Sequence, residues 1–273
     1  IEGSFDDCQS ILKDIFNDLS FKEEYQLGAV NSVNWTRVLA QVIYYFSAFS
    51  QLGAPDGFQV SVPTGNFGNI FAGYIARRMG LPIKRLILAT NQNDILHRFL
   101  TTGNYERGEV HFSYSPAMDI QVASNFERYL YYEFGGDVIR VREFMESFLR
   151  SGKATVNFST PNFDEPFSSG SADDESTLST ISQFSADENY LMDPHTAVGV
   201  TVGRKNRLPG IPLVCLATAH PAKFDQIISR SIPNLKVTHE TLETVRHAQT
   251  RKSILPPDYK VVKQFIQDFQ LTK

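Results

Sequence analysis

The chain has 273 residues and a mass of 30.8 kDa. That is one large domain or two modest ones with room for a proper core, so neither disulfides nor a structural metal is needed to hold it together. Hydrophobic residues make up 42% and charged residues 21%, the balance of a soluble globular protein rather than a disordered or fibrous one. With 26 basic against 30 acidic side chains the net charge is −4 and the sequence pI about 5.9; such a chain has no general attraction for a phosphate backbone, so small molecules rather than nucleic acid are the expected partners.

Cys8 and Cys215 stand far apart, with no CxxC and no His-x-His pattern around them. Neither a disulfide framework nor a zinc site is expected, and a reducing compartment, the cytoplasm, fits. The apolar stretch from Val38 to Phe49 is broken by Gln41 and Ser47 and falls short of the roughly 20 apolar residues of a membrane helix, so no membrane association is expected. The chain starts at Ile1 without an initiator Met or a signal segment, and a missing amino-terminal portion is the expectation.

In chain order, Trp35, Val38, Leu39, Val42, Ile43, Phe46 and Phe49 recur at helical spacing after cap-competent Ser32 and Asn34 and before Gly53, which predicts a long helix with one apolar stripe. A β-rich run, Phe58 to Val62, leads into Pro63-Thr64-Gly65-Asn66-Phe67-Gly68-Asn69 and then a helical pattern from Ile70 to Met79 closed by Gly80. After Pro82, Lys84 to Ala89 reads as a buried strand, and Asn93 to Leu100 and Ala123 to Phe134 as helices. Asn157 to Ser176, rich in Ser, Asp, Pro and Gly, reads as a surface excursion. Pro212 to Thr218 is a further apolar strand that stops at Ala219-His220-Pro221 before a helix over Phe224 to Ser229. Strands apolar throughout imply burial on both faces, so the predicted fold is α/β: a three-layer parallel or mixed sheet with flanking helices.

Three places could carry chemistry. Gly65-Asn66-Phe67-Gly68-Asn69 leaves the carboxyl end of a strand and opens a helix, where free N–H groups and the positive helix end converge on one spot. That is a phosphate cradle; the spacing is neither GxxxxGK[ST] nor GxGxxG, and a single terminal phosphate fits it best. The same residues also suit an ordinary turn that uses Gly and Asn for their tolerance of positive φ. Thr218 ends a strand where doubly wound folds bind ligands and offers a neutral hydroxyl, or else it caps the following helix. Asp193-Pro194-His195 reads as an N-cap followed by Pro at the first helical position. His195 is therefore a candidate neutral imidazole beside a substrate, or a structural histidine at a helix start.

Taken together, Gly28-Ala29-Val30-Asn31-Ser32-Val33-Asn34-Trp35 with Arg37, Pro63 to Asn69, Asn91 to His97, Ala117 to Val122, Asp193 to Gly199 and Leu216 to Pro221 resemble the threonine synthase family, closest to its long, fungal-type branch. The resemblance runs over nearly the whole chain. It implies a pyridoxal 5′-phosphate enzyme of the tryptophan-synthase-β-like fold (fold type II), converting O-phosphohomoserine and water to threonine and phosphate. It also implies that Gly65, Asn66, Phe67, Gly68 and Asn69 hold the cofactor's phosphate and that Thr218 faces its ring nitrogen, where a hydroxyl does not enforce protonation. The family's Schiff-base lysine lies in a His-Gly-Pro-Thr-x-Ala-Phe-Lys-type segment that these 273 residues do not contain. No catalytic residue is therefore assigned, and the chain alone is expected to be inactive. Residues 1–45 would end a smaller domain and return into the large one, with 46–273 as the large cofactor-binding domain. Arg37, Asn31 and Asn34 are set aside as substrate ligands, since the helix period puts Arg37 off the apolar stripe, where solvated arginines are common. Within the same fold a serine or threonine dehydratase is the alternative reaction, and a non-catalytic binder of phosphate ligands is the alternative class.

Overall fold

The computed structural model describes residues 1–3, 5–31, 33–156, 167–246 and 248–271. Contacts divide the chain into Ile1–Val30 with Val245–Lys273, and Asn31–Thr244. In the first unit, α1 (Phe5–Asn17) and α2 (Leu19–Glu24) turn Ile11, Ile15 and Phe21 onto Tyr259, Val262 and Ile266 of the chain's last helix, Tyr259–Leu271. The division falls after Val30, inside the span 1–45 read from sequence, and the last 29 residues side with the first 30. That pairing of two amphipathic faces from opposite ends of the chain leaves no local trace.

The second unit runs α3 (Trp35–Gln51), β1 (Phe58–Pro63), α4 (Gly68–Arg78), β2 (Ile83–Thr90), α5 (Ile95–Thr102), β3 (Asn104–Glu106), α6 (Phe126–Glu133), α7 (Val138–Ser151), β4 (Lys153–Thr155), β5 (Phe167–Ser171), α8 (Asp174–Glu188), α9 (Pro194–Asn206), β6 (Leu213–Cys215) and α10 (Asp225–Ser231). The main sheet has the order β5-β2-β1-β6, every pair parallel, and β3 and β4 form a separate antiparallel ribbon.

Strand alternation sorts the core into two layers. Phe58, Val60, Val62, Leu86 and Leu88 pack with residues of α3 to α7, whereas Ile87 and Ala89 meet Val198 and Val202 of α9. The polar residues of β1 satisfy themselves on the α9 side. Ser61 Oγ donates to Gly199 O at 2.6 Å, and the Gln59 amide donates to the carbonyls of Leu208 and Ile211 and accepts from Leu208 N–H. Helices therefore cover both faces of a parallel sheet, the three-layer α/β arrangement read from the strands.

One stretch differs from its reading. Residues 157–166 of the expected surface excursion lie outside the described residues, but Phe167–Ser171 is strand β5, paired with β2 from Leu86↔Phe167 to Thr90↔Ser171. Its small, polar residues hide it from a hydrophobicity pattern, and their smallness is what the position needs. A Cβ on Gly170 would stand 3.0 Å from Val202 Cγ1, and Ser169 Oγ bonds His97 Nδ1 at 2.8 Å.

Candidate functional site

At the carboxyl end of β1 the chain must turn into α4 within a few residues. Thr64 N–H still donates to Ala89 O at 2.8 Å, and α4 begins at Gly68. The left-handed residue of the turn is Phe67, with φ 62°, a conformation that costs a non-glycine residue about 1–2 kcal/mol. Burial offsets it, because the ring is 1% exposed and lies 5.5 Å from Phe126 and 5.4 Å from Tyr129, centroid to centroid. Gly65 serves another purpose, since a Cβ there would stand 2.6 Å from Ala117 O. The loop is thus not a turn that uses Gly and Asn for positive φ; it is an aromatic anchor beside a glycine that permits close backbone approach.

Hydrogen bonds fix the rest of the loop. Asn66 O accepts from Asn125 N at 3.1 Å and from Asn125 Nδ2 at 3.0 Å, and Tyr45 Oη donates to Asn69 O at 2.7 Å. The first N–H groups of α4 have no helix carbonyl within reach and stand at the positive end of its dipole. Residues Pro63 to Ile70 line a cavity of about 480 Å³, as do Leu216, Ala217 and Thr218.

The third wall of this cavity comes from α3, through Arg37, Gln41 and Tyr44. Gln41 Oε1 is buried without a hydrogen-bond partner among the described residues, a state that a native acceptor rarely keeps unless a ligand or water completes it. Arg37, which the helix period sets aside as solvated, is indeed exposed but stands on this wall. The signal was present: positions 37, 41 and 44 share one helical face beside the buried stripe of Val38, Val42 and Tyr45.

Thr218 belongs to a network built on Asp193, a carboxylate 0% exposed. As the N-cap of α9, Asp193 accepts from His195 N–H at 3.0 Å. It also accepts from His195 Nδ1 at 2.8 Å, from Ala219 N at 3.2 Å, from Thr218 Oγ1 at 3.3 Å and, in a short bond, from Thr196 Oγ1. Burial alone would raise this carboxyl's pKa; the donors from His195 and Thr196 outweigh it and hold the group below 3.8. The Thr218 hydroxyl lies 3.3 Å from both Asp193 oxygens; as a rotor with one hydrogen and two lone pairs it can serve Asp193 or turn its hydrogen to an acceptor in the cavity.

His195 is 5% exposed and is not on the cavity wall. Its Nε2 accepts from Ala117 N–H at 3.2 Å, which assigns the ring hydrogen to Nδ1, facing Asp193. Both ring nitrogens are engaged within the chain, so the imidazole braces the segment around Ala117 that abuts Gly65. Among the described residues no group of His, Cys, Asp and Glu is arranged to hold a metal, and no helix is long and apolar enough to cross a membrane.

Residues 196–266 match the family model described as "Threonine synthase, C-terminal". Over 97% of its length the chain is similar to a threonine synthase of Pseudomonas aeruginosa, at 44% identity and covering 58% of that protein. A threonine synthase of Schizosaccharomyces pombe is 40% identical over 85% of the chain, which covers 51% of it; the likeness extends to bacterial and fungal members alike. Among solved structures, a pyridoxal-phosphate-bound threonine synthase from Brucella melitensis superposes with a TM-score of 0.86 at 43% identity, covering 98% of this chain and 58% of that one. The chain thus spans a little over half the length of the relatives it matches.

Proposed function

We propose that the chain, which is similar over nearly its whole length to threonine synthases and matches the model described as "Threonine synthase, C-terminal" at residues 196–266, supplies the cofactor-binding part of a threonine synthase, which converts O-phosphohomoserine and water to threonine and phosphate with pyridoxal 5′-phosphate. The observation that carries this reading is the meeting of the 63–70 loop and Thr218, remote in sequence, on one cavity.

The residues suit the cofactor. Gly65 lies on the cavity wall with no side chain, its backbone packed against Ala117, the first N–H groups of α4 suit a dianionic phosphate, and Thr218 offers one hydroxyl on the same cavity. On this reading Gly65, Asn66, Phe67, Gly68 and Asn69 hold the 5′-phosphate, and Thr218 Oγ1 meets the ring nitrogen. When bound, pyridoxal phosphate supplies an electron sink for the negative charge that develops on the substrate's carbons. Arg37, whose guanidinium stays charged and forks toward oxyanions, stands on the α3 wall with Gln41 and would orient the substrate's own phosphate. The Schiff-base lysine would come from outside these 273 residues, because no lysine here lies in a matching segment.

The test uses the whole protein that carries this chain. It is purified with pyridoxal phosphate, and threonine and phosphate are assayed from O-phosphohomoserine, with serine and threonine offered in parallel. Equal release of threonine and phosphate is expected. Bound cofactor with no turnover would favour a non-catalytic phosphate binder, and 2-oxo acid formed from serine or threonine would point to a dehydratase. Loss of bound cofactor in Gly65→Asp is the companion result, since a carboxylate there adds both bulk and like charge to the cradle.

A further inference from the structure

Two walls of the cavity, the phosphate loop and α3, are tied by Tyr45 of α3, which donates to Asn69 O, and at the start of α3 by Arg128, a side chain that is not on the cavity wall. Arg128 on α6 donates through Nη1 to Asn125 Oδ1 at 2.7 Å and through Nη2 to Val33 O at 2.6 Å. Asn125, 0% exposed, passes the first contact on, because its N and Nδ2 both donate to Asn66 O in the loop. Val33 sits in the turn that launches α3: its N–H donates to Asn31 Oδ1 at 3.1 Å, and the next residue, Asn34, caps the helix by accepting from Thr36 N at 3.0 Å. The guanidinium also lies over the ring of Trp35, the first residue of α3, 5.5 Å from its centroid.

We infer that Arg128 is a positioning residue whose two-pronged bridge sets the spacing between the phosphate loop and the α3 wall that carries Arg37 and Gln41, and thereby the affinity for the substrate's phosphate. The inference rests on the reaction proposed above. A planar guanidinium holds two acceptors in fixed relative positions, which a single ammonium on a flexible stem does not. The loop's own shape does not depend on the bridge, since Phe67, Gly65 and Tyr45 hold it separately. Losing the bridge should therefore shift the first turns of α3, which carry Arg37, while Tyr45 still ties the later turns to the loop, and ligand geometry displaced by a fraction of an ångström is costly.

The experiment measures Arg128→Lys and Arg128→Met in the whole pyridoxal-phosphate-loaded protein: KM for O-phosphohomoserine, the inhibition constant of inorganic phosphate, kcat, cofactor affinity from the bound-cofactor absorbance, and the melting temperature. Both variants are expected to raise KM and the phosphate constant roughly tenfold, a fold-change typical of one lost well-placed contact, with kcat and cofactor affinity within about twofold. Restoration of the parent KM by Arg128→Lys would overturn the bridge in favour of charge alone. A parallel fall of kcat, cofactor affinity and melting temperature would overturn it in favour of general support of the fold. Should Arg128→Met not accumulate as folded protein, Arg128→Gln replaces it with the same expectations. If the parent protein turns over no O-phosphohomoserine, the reaction reading fails by itself; calorimetric binding of inorganic phosphate, parent against Arg128→Lys, still decides whether the bridge sets phosphate affinity.

Discussion

The loop wall and the Thr218 wall face the same cavity but are held by different forces. The loop wall is contiguous in sequence, from Pro63 to Ile70, and is fixed by an aromatic ring in a packed core and by a glycine pressed against backbone. The Thr218 wall gathers residues 193, 195, 196, 218 and 219 around one buried carboxylate. Apolar packing does not titrate; a carboxylate network does. One site can thus have a wall that is indifferent to pH beside another that depends on it.

The largest expected effect lies on the loop wall. Phe67→Ala removes a fully buried ring from between Phe126 and Tyr129 while leaving the left-handed backbone, so urea denaturation should show a loss of about 4 kcal/mol. Since the lost term is apolar, the difference from the parent should be the same at pH 7 and pH 4. Asp193→Ala comes next, at about 3 kcal/mol, because the donors of His195, Thr196 and Ala219 lose a buried acceptor together.

The sign of the pH effect separates the two walls further. The Asp193 carboxyl is held below its ordinary 3.8 in the folded protein, so the unfolded chain binds a proton first on acidification. The stability it contributes is complete above the unfolded value and is lost as pH falls through the folded one. Parent stability should therefore decline in acid below about pH 4, and less steeply in Asp193→Asn, which keeps the N-cap acceptor but has no charge. Asp18 and Asp173, also held low, remain in both proteins and set the common background. Equal acid slopes in parent and variant would remove Asp193 as the titrating member of its wall.

The same contrast explains what the sequence makes legible. Strand β1, the loop and α4 follow one another without interruption, so burial, glycine spacing and the helix start can be read in a single window of residues 58–78. Which residue takes the positive φ cannot, because Phe67 is held there by rings from α6 that no local pattern brings near. Thr218 and the Asp193 N-cap are each visible locally, yet their contact joins the start of α9 to the end of β6. His195 looks available beside a helix start until Ala117 N–H occupies its second nitrogen. β5 escaped detection because its small polar side chains are selected by the packing of α9 rather than by water.

Two smaller changes probe the loop itself. Gly65→Ala places a methyl 2.6 Å from Ala117 O, a backbone atom that must move, so a loss of about 2 kcal/mol is expected. Phosphate affinity should drop more than stability does, because the displaced backbone is the proposed cradle. If Gly65→Ala matched the parent in denaturation and phosphate titration, the close approach would not be what the glycine provides.

Tyr45→Phe is the mildest test and the most specific. The phenol is 0% exposed, and burial pushes its pKa far above the ordinary 10.0, so it is a neutral donor at any pH at which the protein is handled. Its hydroxyl donates to Asn69 O at 2.7 Å, on the second residue of α4, whose first N–H groups are the proposed cradle. Removing one oxygen keeps the ring that packs on Gly73, where a Cβ would stand 2.6 Å from Tyr45 Cε1, and leaves the Asn69 carbonyl one bond short. The cost should be about 1 kcal/mol, the net worth of one buried hydrogen bond, and constant from pH 5 to pH 9. A loss that grew toward acid would instead link the loop to the Asp193 wall and erase the distinction between a packed wall and a titrating one.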